Sequence, residues 1–247
     1  MPELLADFLT LQFVLAIGIA LMGGLIFGFA GFGAGLSMVP LLAWVYDPPT
    51  ALAIVGMAVA IGAAQLLPHG IRNADWPTVG PILLAALIGV PCGTVTLLMN
   101  EPEMVRRIIG GLLVVFALIM LSGWTYNGRR NLATNILVGI SGGALSGFMS
   151  GGGAIVSSYF LSWPGSATET RANIYIVTYS LAVLMAVALV IVGMINSTTV
   201  LRTFALLVPY SIGVRFGSLL VRRASQTAYR QIVLWLLVII GASALSF

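Results

Sequence analysis

The stretch that decides the fold is GFAGFGAGLSMVPLL, residues 28–42, which is answered 119 residues later by GFMSGGGAIVSSYFL, residues 147–161. Each sits inside an uncharged run, residues 8–46 and 131–168, of 39 and 38 residues. A membrane-spanning helix takes about 20 residues at 1.5 Å each. Both runs are too long for one crossing and carry their glycines in the middle, so each is expected to break there and fold back. Non-helical backbone at membrane depth is tolerated only where protein or a water-filled cavity surrounds it. The two breaks therefore belong in the interior of a helical bundle.

The rest of the composition sets the solvent. Of 247 residues 60% are hydrophobic and 7% charged, whereas a soluble domain carries about a quarter charged residues. A soluble globular protein is excluded. The 11 basic residues are all arginine, spread singly or in pairs, and the net charge is +4; this is no nucleic-acid footprint. One cysteine, Cys92, and one histidine, His69, exclude a disulfide framework and a Cys- or His-built metal centre. The opening MPELLADFL has two acids and no basic segment, so no cleavable signal peptide is expected.

Outside the two broken runs the uncharged stretches are 51–67, 76–100, 108–128, 172–201, 203–214 and 231–247. The order is one broken run and three simple ones, twice. Setting Gly23 to Trp44 against Gly142 to Trp163 gives seven identities in 22 positions: Gly23, Gly24, Gly28, Phe29, Gly33, Leu42 and Trp44 meet Gly142, Gly143, Gly147, Phe148, Gly152, Leu161 and Trp163. If each broken run enters and leaves by one face, three crossings per half invert the second half. Arg72, Arg129, Arg130, Arg171, Arg222, Arg223 and Arg230 then share one side, against Arg106, Arg107 and Arg202, and the first side is cytoplasmic. The expected fold is an all-α polytopic membrane protein of two inverted repeats, residues 1–128 and 129–247. Each repeat is a glycine-broken re-entrant helix pair plus three transmembrane helices.

Chemistry is expected at the breaks. A helix restarting after each one presents free N–H groups and the positive end of its dipole, which attracts anions. Gly31, Gly33, Gly35 and Ser37 in the first cluster, with Gly151, Gly152, Gly153 and Ser157 in the second, are the candidate binding residues near the midplane. The competing reading is tight small-xxx-small helix packing. Arg215 lies in a span, seven residues before Arg222, and reads as a counter-charge for an anion, or as a snorkelling or paired arginine. Arg171, Asn173, Tyr175 and Tyr179 either line the same cavity or form an interfacial belt. His69, Arg72 and Asp75 share the link LPHGIRNADW, an ordinary charged loop or a gating and proton-handling one. Gln65, Thr94, Thr96, Thr178, Ser180 and Tyr210 read as polar glue between helices.

These residues resemble the sulfite exporter TauE/SafE family, also called the toluene sulfonate uptake permeases. The resemblance rests on GFGAGLSMVPLL (31–42), HGIRNADW (69–76), the pair Gly89 and Gly93 followed by EMVRRIIGGLLVVFALIML, and GGGAIVSSYFL opening the second half. It implies an inner-membrane transporter of two inverted halves moving sulfite, thiosulfate, sulfoacetate or other organosulfonates. The chain departs from the family pattern at GMAVA (56–60) and in lacking a second-cluster counterpart of Pro40. A lone Cys92 does not fit a thiosulfate branch that uses cysteines. Arg215 would mark a charged carboxylate or sulfonate substrate.

No Walker A pattern is present, so a secondary transporter is expected, energised by the anion gradient, the membrane potential, or a coupled proton or sodium ion, with no other cofactor. The inside-negative potential favours export. The expected partners are the anion and the lipid bilayer, with no nucleic acid; a homodimer is compatible with a carrier of this size. Two other readings remain at this point: a passive anion channel, and an intramembrane serine hydrolase with Ser150 as nucleophile and His69 as base.

Overall fold

The computed structural model describes residues 11–124, 126–161 and 165–220, and every regular element among them is helical. They are α1 (Leu11–Ala30), α2 (Ala34–Val45), α3 (Pro48–Gly62), a 3-10 turn (Ala64–Leu66), α4 (Leu67–Asn73), α5 (Trp76–Met99), α6 (Pro102–Leu121), α7 (Leu132–Met149), α8 (Gly152–Phe160), α9 (Ala167–Ile191) and α10 (Ser197–Leu220). Six stretches among the described residues are long and apolar enough to cross a bilayer: α1, Pro48–Asn73, α5, α7, α9 and α10. Large apolar side chains such as Leu84, Ile88, Phe204 and Val208 stand exposed on the outside of the bundle. That surface belongs in lipid, and the chain is a multi-pass membrane protein.

Helix starts follow local capping chemistry. Asp47 accepts from the Thr50 amide at 2.9 Å ahead of Pro48 and Pro49, a start whose missing proline N–H groups cost nothing. Asn131 and Thr134 form a reciprocal capping box at 3.0 and 2.9 Å, and Ser166 caps α9 through the Glu169 amide at 3.1 Å. Each cap is worth about 1 kcal/mol. Asn196 opens α10, accepting from the Thr199 amide at 2.8 Å.

These caps correct the boundaries drawn from charge. Run 203–214 is the middle of a 24-residue helix that carries both Arg202 and Arg215. Helix α9 begins at Ala167 and takes in Glu169 and Arg171. The link around His69 is helical rather than a loop, because α3 passes through the 3-10 turn into α4. Gly70 lets α4 press on α9: a Cβ there would stand 2.7 Å from the Tyr175 ring and 2.8 Å from Ile176. Trp163, Arg222, Arg223, Arg230, the first ten residues and the run 231–247 lie outside the described residues.

Two glycine seams hold the bundle. Gly24 and Gly28 of α1 face the backbone of Tyr210 and Val214, while Gly213 and Gly217 of α10 face the carbonyls of Leu21 and Leu25. In the second seam Gly89 and Gly93 of α5 meet the carbonyls of Ile140 and Ala144, and Gly139 and Gly147 of α7 meet those of Ile82 and Val90. Any Cβ at these positions would collide with main chain, so the packing reading holds for this part of each cluster. In both seams residue numbers rise together, so the paired helices run parallel.

Each broken run forms a lopsided helical hairpin. Arms α1 and α7 have 20 and 18 residues, while α2 and α8 have 12 and 9. The short arms fold back, with Gly23 of α1 against Met38 and Ser37, and Gly152 of α8 against the Gly142 carbonyl and Ser146 of α7. Arg106 donates to the Ala43 and Tyr46 carbonyls at the end of α2, at 3.0 and 3.3 Å. Arg202 covers the Tyr46 ring at 4.5 Å. At the end of α8, Arg130 lies 5.6 Å from the centre of the Tyr159 ring. Helix α6 lies against the outside of the hairpins through Val105, Ile109, Leu113 and Ala117, a stripe at four-residue spacing that is wholly buried.

Candidate functional site: two hairpin tips around a small cavity

The first tip is residues 31–33. Gly31 and Gly33 have φ of 80° and 93°, the left-handed region that costs an L-residue about 1–2 kcal/mol. The second tip turns differently: its left-handed residue is Ser150, at φ 56°, and Gly151 is right-handed. The Ser150 amide donates to the Ser146 carbonyl at 2.8 Å, which closes the end of α7. The second-cluster glycines are needed for space. Gly151 leaves room for Leu36, and Gly153 for Phe32 and Thr178.

The tips meet. Gly35 lies directly on the Ser150 carbonyl and side chain. Between them is a cavity of about 20 Å³, room for about one water. Phe32, Gly33, Ala34 and Gly35 line it from the first hairpin, Ser146, Ser150 and Gly153 from the second; α3 and α9 close its sides through Val59, Thr178 and Ala182. No carboxylate lines it. The first tip is pinned to α9 by the Thr178 hydroxyl, which donates to the Gly31 carbonyl at 2.6 Å.

The cavity is faced by the N-termini of α2 and α8. In the first turn of α8 the Ala154 amide donates to the Gly151 carbonyl at 3.0 Å; the other first-turn amides of α2 and α8 have no acceptor within their helix, and neither helix carries a side-chain cap, the residues ahead of them being Gly33 and Gly151. Each terminus carries about half a positive charge. Two such ends converging where no acid is present make a place suited to an anion.

Of the residues singled out in the sequence, Gly33, Gly35 and Gly153 line the cavity, and Gly31 lies just behind it. Gly151 and Gly152 pack at the tip. Ser37 and Ser157 are buried but turned into their own helices, donating to Ala34 and Ala154 carbonyls at 3.1 Å each. Asn173 and Tyr175 face the junction of α3, α4 and α5. The Asn173 Oδ1 accepts from the Asp75 amide at 2.7 Å, and the Tyr175 hydroxyl donates to the Ala63 carbonyl at 2.6 Å. His69 and Arg72 are exposed on α4, and His69 Nδ1 lies 3.4 Å from Asn73 Nδ2. Ser150 at the tip and His69 on that outer face make no contact on which a nucleophile could depend.

Arg215 is exposed. Gly213, Val214 and Gly217 occupy the face of α10 that meets α1, and the one-residue step from Val214 turns Arg215 by about 100°, out of the interior. The sequence alone carries no signal for Ser146 or Phe32, and in it Thr178 reads as glue. Thr178 does tie helices together, yet it also lines the cavity. Among the described residues no cluster of three His, Cys, Asp or Glu side chains could hold a metal ion.

The family model of the sulfite exporter TauE/SafE proteins matches residues 16–244. No curated protein and no solved structure matches the chain. A family match over residues 16–244, on a chain whose described residues form only helices, six of them long and apolar enough to cross a membrane, leaves one conclusion: the chain belongs to the sulfite exporter TauE/SafE family, a family of membrane transporters and not of enzymes.

Proposed function

We propose that the chain is a secondary transporter exporting small sulfur-containing anions, sulfite or an organosulfonate such as sulfoacetate, across the bacterial inner membrane by alternating access. The observation that carries this reading is the pair of uncapped helix N-termini meeting across a cavity that no carboxylate lines. A sulfonate or sulfite group offers three oxygens to amide donors arriving from two directions. The cavity, about one water in size, is too small to be an open channel. An anion enters when the hairpins part.

Two inverted halves, 1–128 and 129–247, are supported by the exchange of contacts: α1 packs on α10 as α7 packs on α5, each across paired glycines. Hairpins anchored at Tyr46 and at Tyr159 then approach the cavity from opposite faces. With the inside negative, the membrane potential is worth about 2.3 kcal/mol per charge per 100 mV and drives anions outward. A coupled proton or sodium ion would supply the remainder.

The test is counterflow in proteoliposomes, paired with thermal stabilisation of purified protein by sulfite, sulfate, thiosulfate, sulfoacetate, isethionate, taurine and matched carboxylates. A ligand bound by the folded state alone raises its stability by mass action. Stabilisation and counterflow by a sulfur anion are expected. Flux without counterflow would make the protein a channel, and neither effect with any of these anions would refute the reading.

A further inference from the structure

We infer that Arg171 is the charge-selecting residue of the anion route, held on the last turn of α1 beside the first hairpin tip and passed to the anion when the tip moves. The inference rests on the reading that an anion passes between the tips. Arg171 is partly buried in α9, and its Nη2 donates to the Gly28 carbonyl at 2.6 Å. Among the described residues it has no carboxylate partner; the ion pair there is Arg107 with Glu103. A guanidinium has five N–H donors, and an arginine inside a membrane bundle without an acid is costly unless function retains it.

Its position links it to the cavity. Arg171 and Thr178 are seven residues apart, two turns or about 10 Å along one face of α9, and Tyr175 and Ala182 continue that stripe. Thr178 and Ala182 line the cavity. Arg171 holds the last turn of α1 at the Gly28 carbonyl, and Thr178 holds the tip at the Gly31 carbonyl three residues on. A movement that opens the cavity by drawing the tip and the last turn of α1 together from α9 breaks the Gly28 bond and leaves the guanidinium facing the opening. An anion there replaces a single carbonyl by a charged, bidentate acceptor. The feature is one-sided, since α3, which lines the cavity beside α9, carries no charged residue along its whole length.

The experiment uses the full chain in detergent, comparing wild type, Arg171→Gln, Arg171→Lys and Arg106→Gln. The last removes an arginine that also caps carbonyls but stands at the end of α2, away from the tips. Thermal stabilisation is titrated with sulfite, sulfate, sulfoacetate, nitrate and chloride at constant ionic strength. Arg171→Gln is expected to weaken the apparent anion affinity about tenfold or more, as loss of a charged hydrogen bond does, with Arg171→Lys keeping most of it and Arg106→Gln all of it. Equal anion affinity in wild type and Arg171→Gln overturns the inference and leaves the transport reading standing. An equal loss in Arg106→Gln also overturns it. Stabilisation by nitrate or chloride alone, dependent on Arg171, keeps the inference and removes sulfur anions from the reading. No stabilisation of wild type by any anion overturns both. Should Arg171→Gln fail to fold, protection of wild-type Arg171 from phenylglyoxal by sulfate or sulfoacetate, which do not consume the reagent, read by peptide mass spectrometry, decides the question: absence of protection overturns the inference.

Discussion

Replacing Gly35 with alanine tests whether the meeting of the two tips is a step in transport. The new Cβ would fall on the Ser150 carbonyl oxygen, with the Ser150 Oγ and Cβ beside it. Carbon atoms pack best at about 3.5–4.0 Å, so the tips must separate by about an ångström. The neighbour cannot swing away. Ser150 is fixed in the left-handed region and its amide is bonded to Ser146 at 2.8 Å, so the overpacking penalty of about 1–3 kcal/mol applies near its upper end. Placed wholly on the closed state, that penalty shifts the closed-to-open equilibrium about 5- to 150-fold. Counterflow, which returns through the closed state on every turn, should slow by about tenfold or more. The glycine seams lie elsewhere, so the protein should still reach the membrane and elute as a single species. Gly80→Ala is the control: nothing lies within 4 Å of that Cβ, and alanine in a helix interior gains about 0.8–1 kcal/mol over glycine. A wild-type counterflow rate in Gly35→Ala, at normal protein levels, would refute the argument that the tips must touch.

Thr178→Val keeps the shape but leaves the buried Gly31 carbonyl without its hydroxyl donor, costing about 1–3 kcal/mol. In a melt of the purified protein that is about 2–4 °C per kcal/mol. Arg215→Ala should leave the KM for anion within about twofold of wild type, as exposed substitutions do; a large rise would return Arg215 to the route. Gly151→Ser should place a hydroxyl where it can cap the first turn of α8. Anion-induced stabilisation is then expected to fall, and the melting temperature without anion to fall slightly as the new Cβ crowds Met149 at 3.1 Å and Leu36 at 3.3 Å, both read in one titration.

The breaks are legible in the sequence because a glycine cluster in the middle of an overlong uncharged run leaves a spanning chain little choice but to turn at membrane depth, and the structure ends α1 at Ala30 and α7 at Met149. Helix ends are less legible. Charge counting stops a run at Arg202 and another at Arg171, but a long arginine can sit inside a helix and bring its head to the surface or to a carbonyl, as Arg171 does at Gly28. Asn196 and Ser166 carry the true boundary signal in their side chains. At the site, depth is readable and direction is not. Arg215 has the depth expected of a ligand and the wrong rotation about α10, which is decided by Gly213 and Gly217 meeting α1. Ser37 and Ser157 have the right place but spend their hydroxyls on their own helices. Thr178 looks like any polar residue in a span until the first tip is laid against it.

The pattern of caps separates the two kinds of helix start in this chain. Where α3, α7 and α9 begin, oxygen side chains from Asp47, Asn131 and Ser166 take up the free amides. The starts of α2 and α8, buried at the tips, need partners more, since no water surrounds them as it does a surface turn. Yet Gly33 and Gly151 stand there instead. An aspartate or serine at either place would satisfy the amides permanently and set a negative or partly negative oxygen in the cavity, closing it to anions on both counts. Glycine leaves the amides ahead of Ala154 in α8, and those of the first turn of α2, without a side-chain acceptor, at a cost in stability that the seams of Gly24, Gly28, Gly89 and Gly93 offset by close backbone packing. The same residue type thus does two different jobs a few residues apart: it clamps the hairpins to their neighbours, and at the tips it keeps the helix ends free for an oxygen that arrives and leaves.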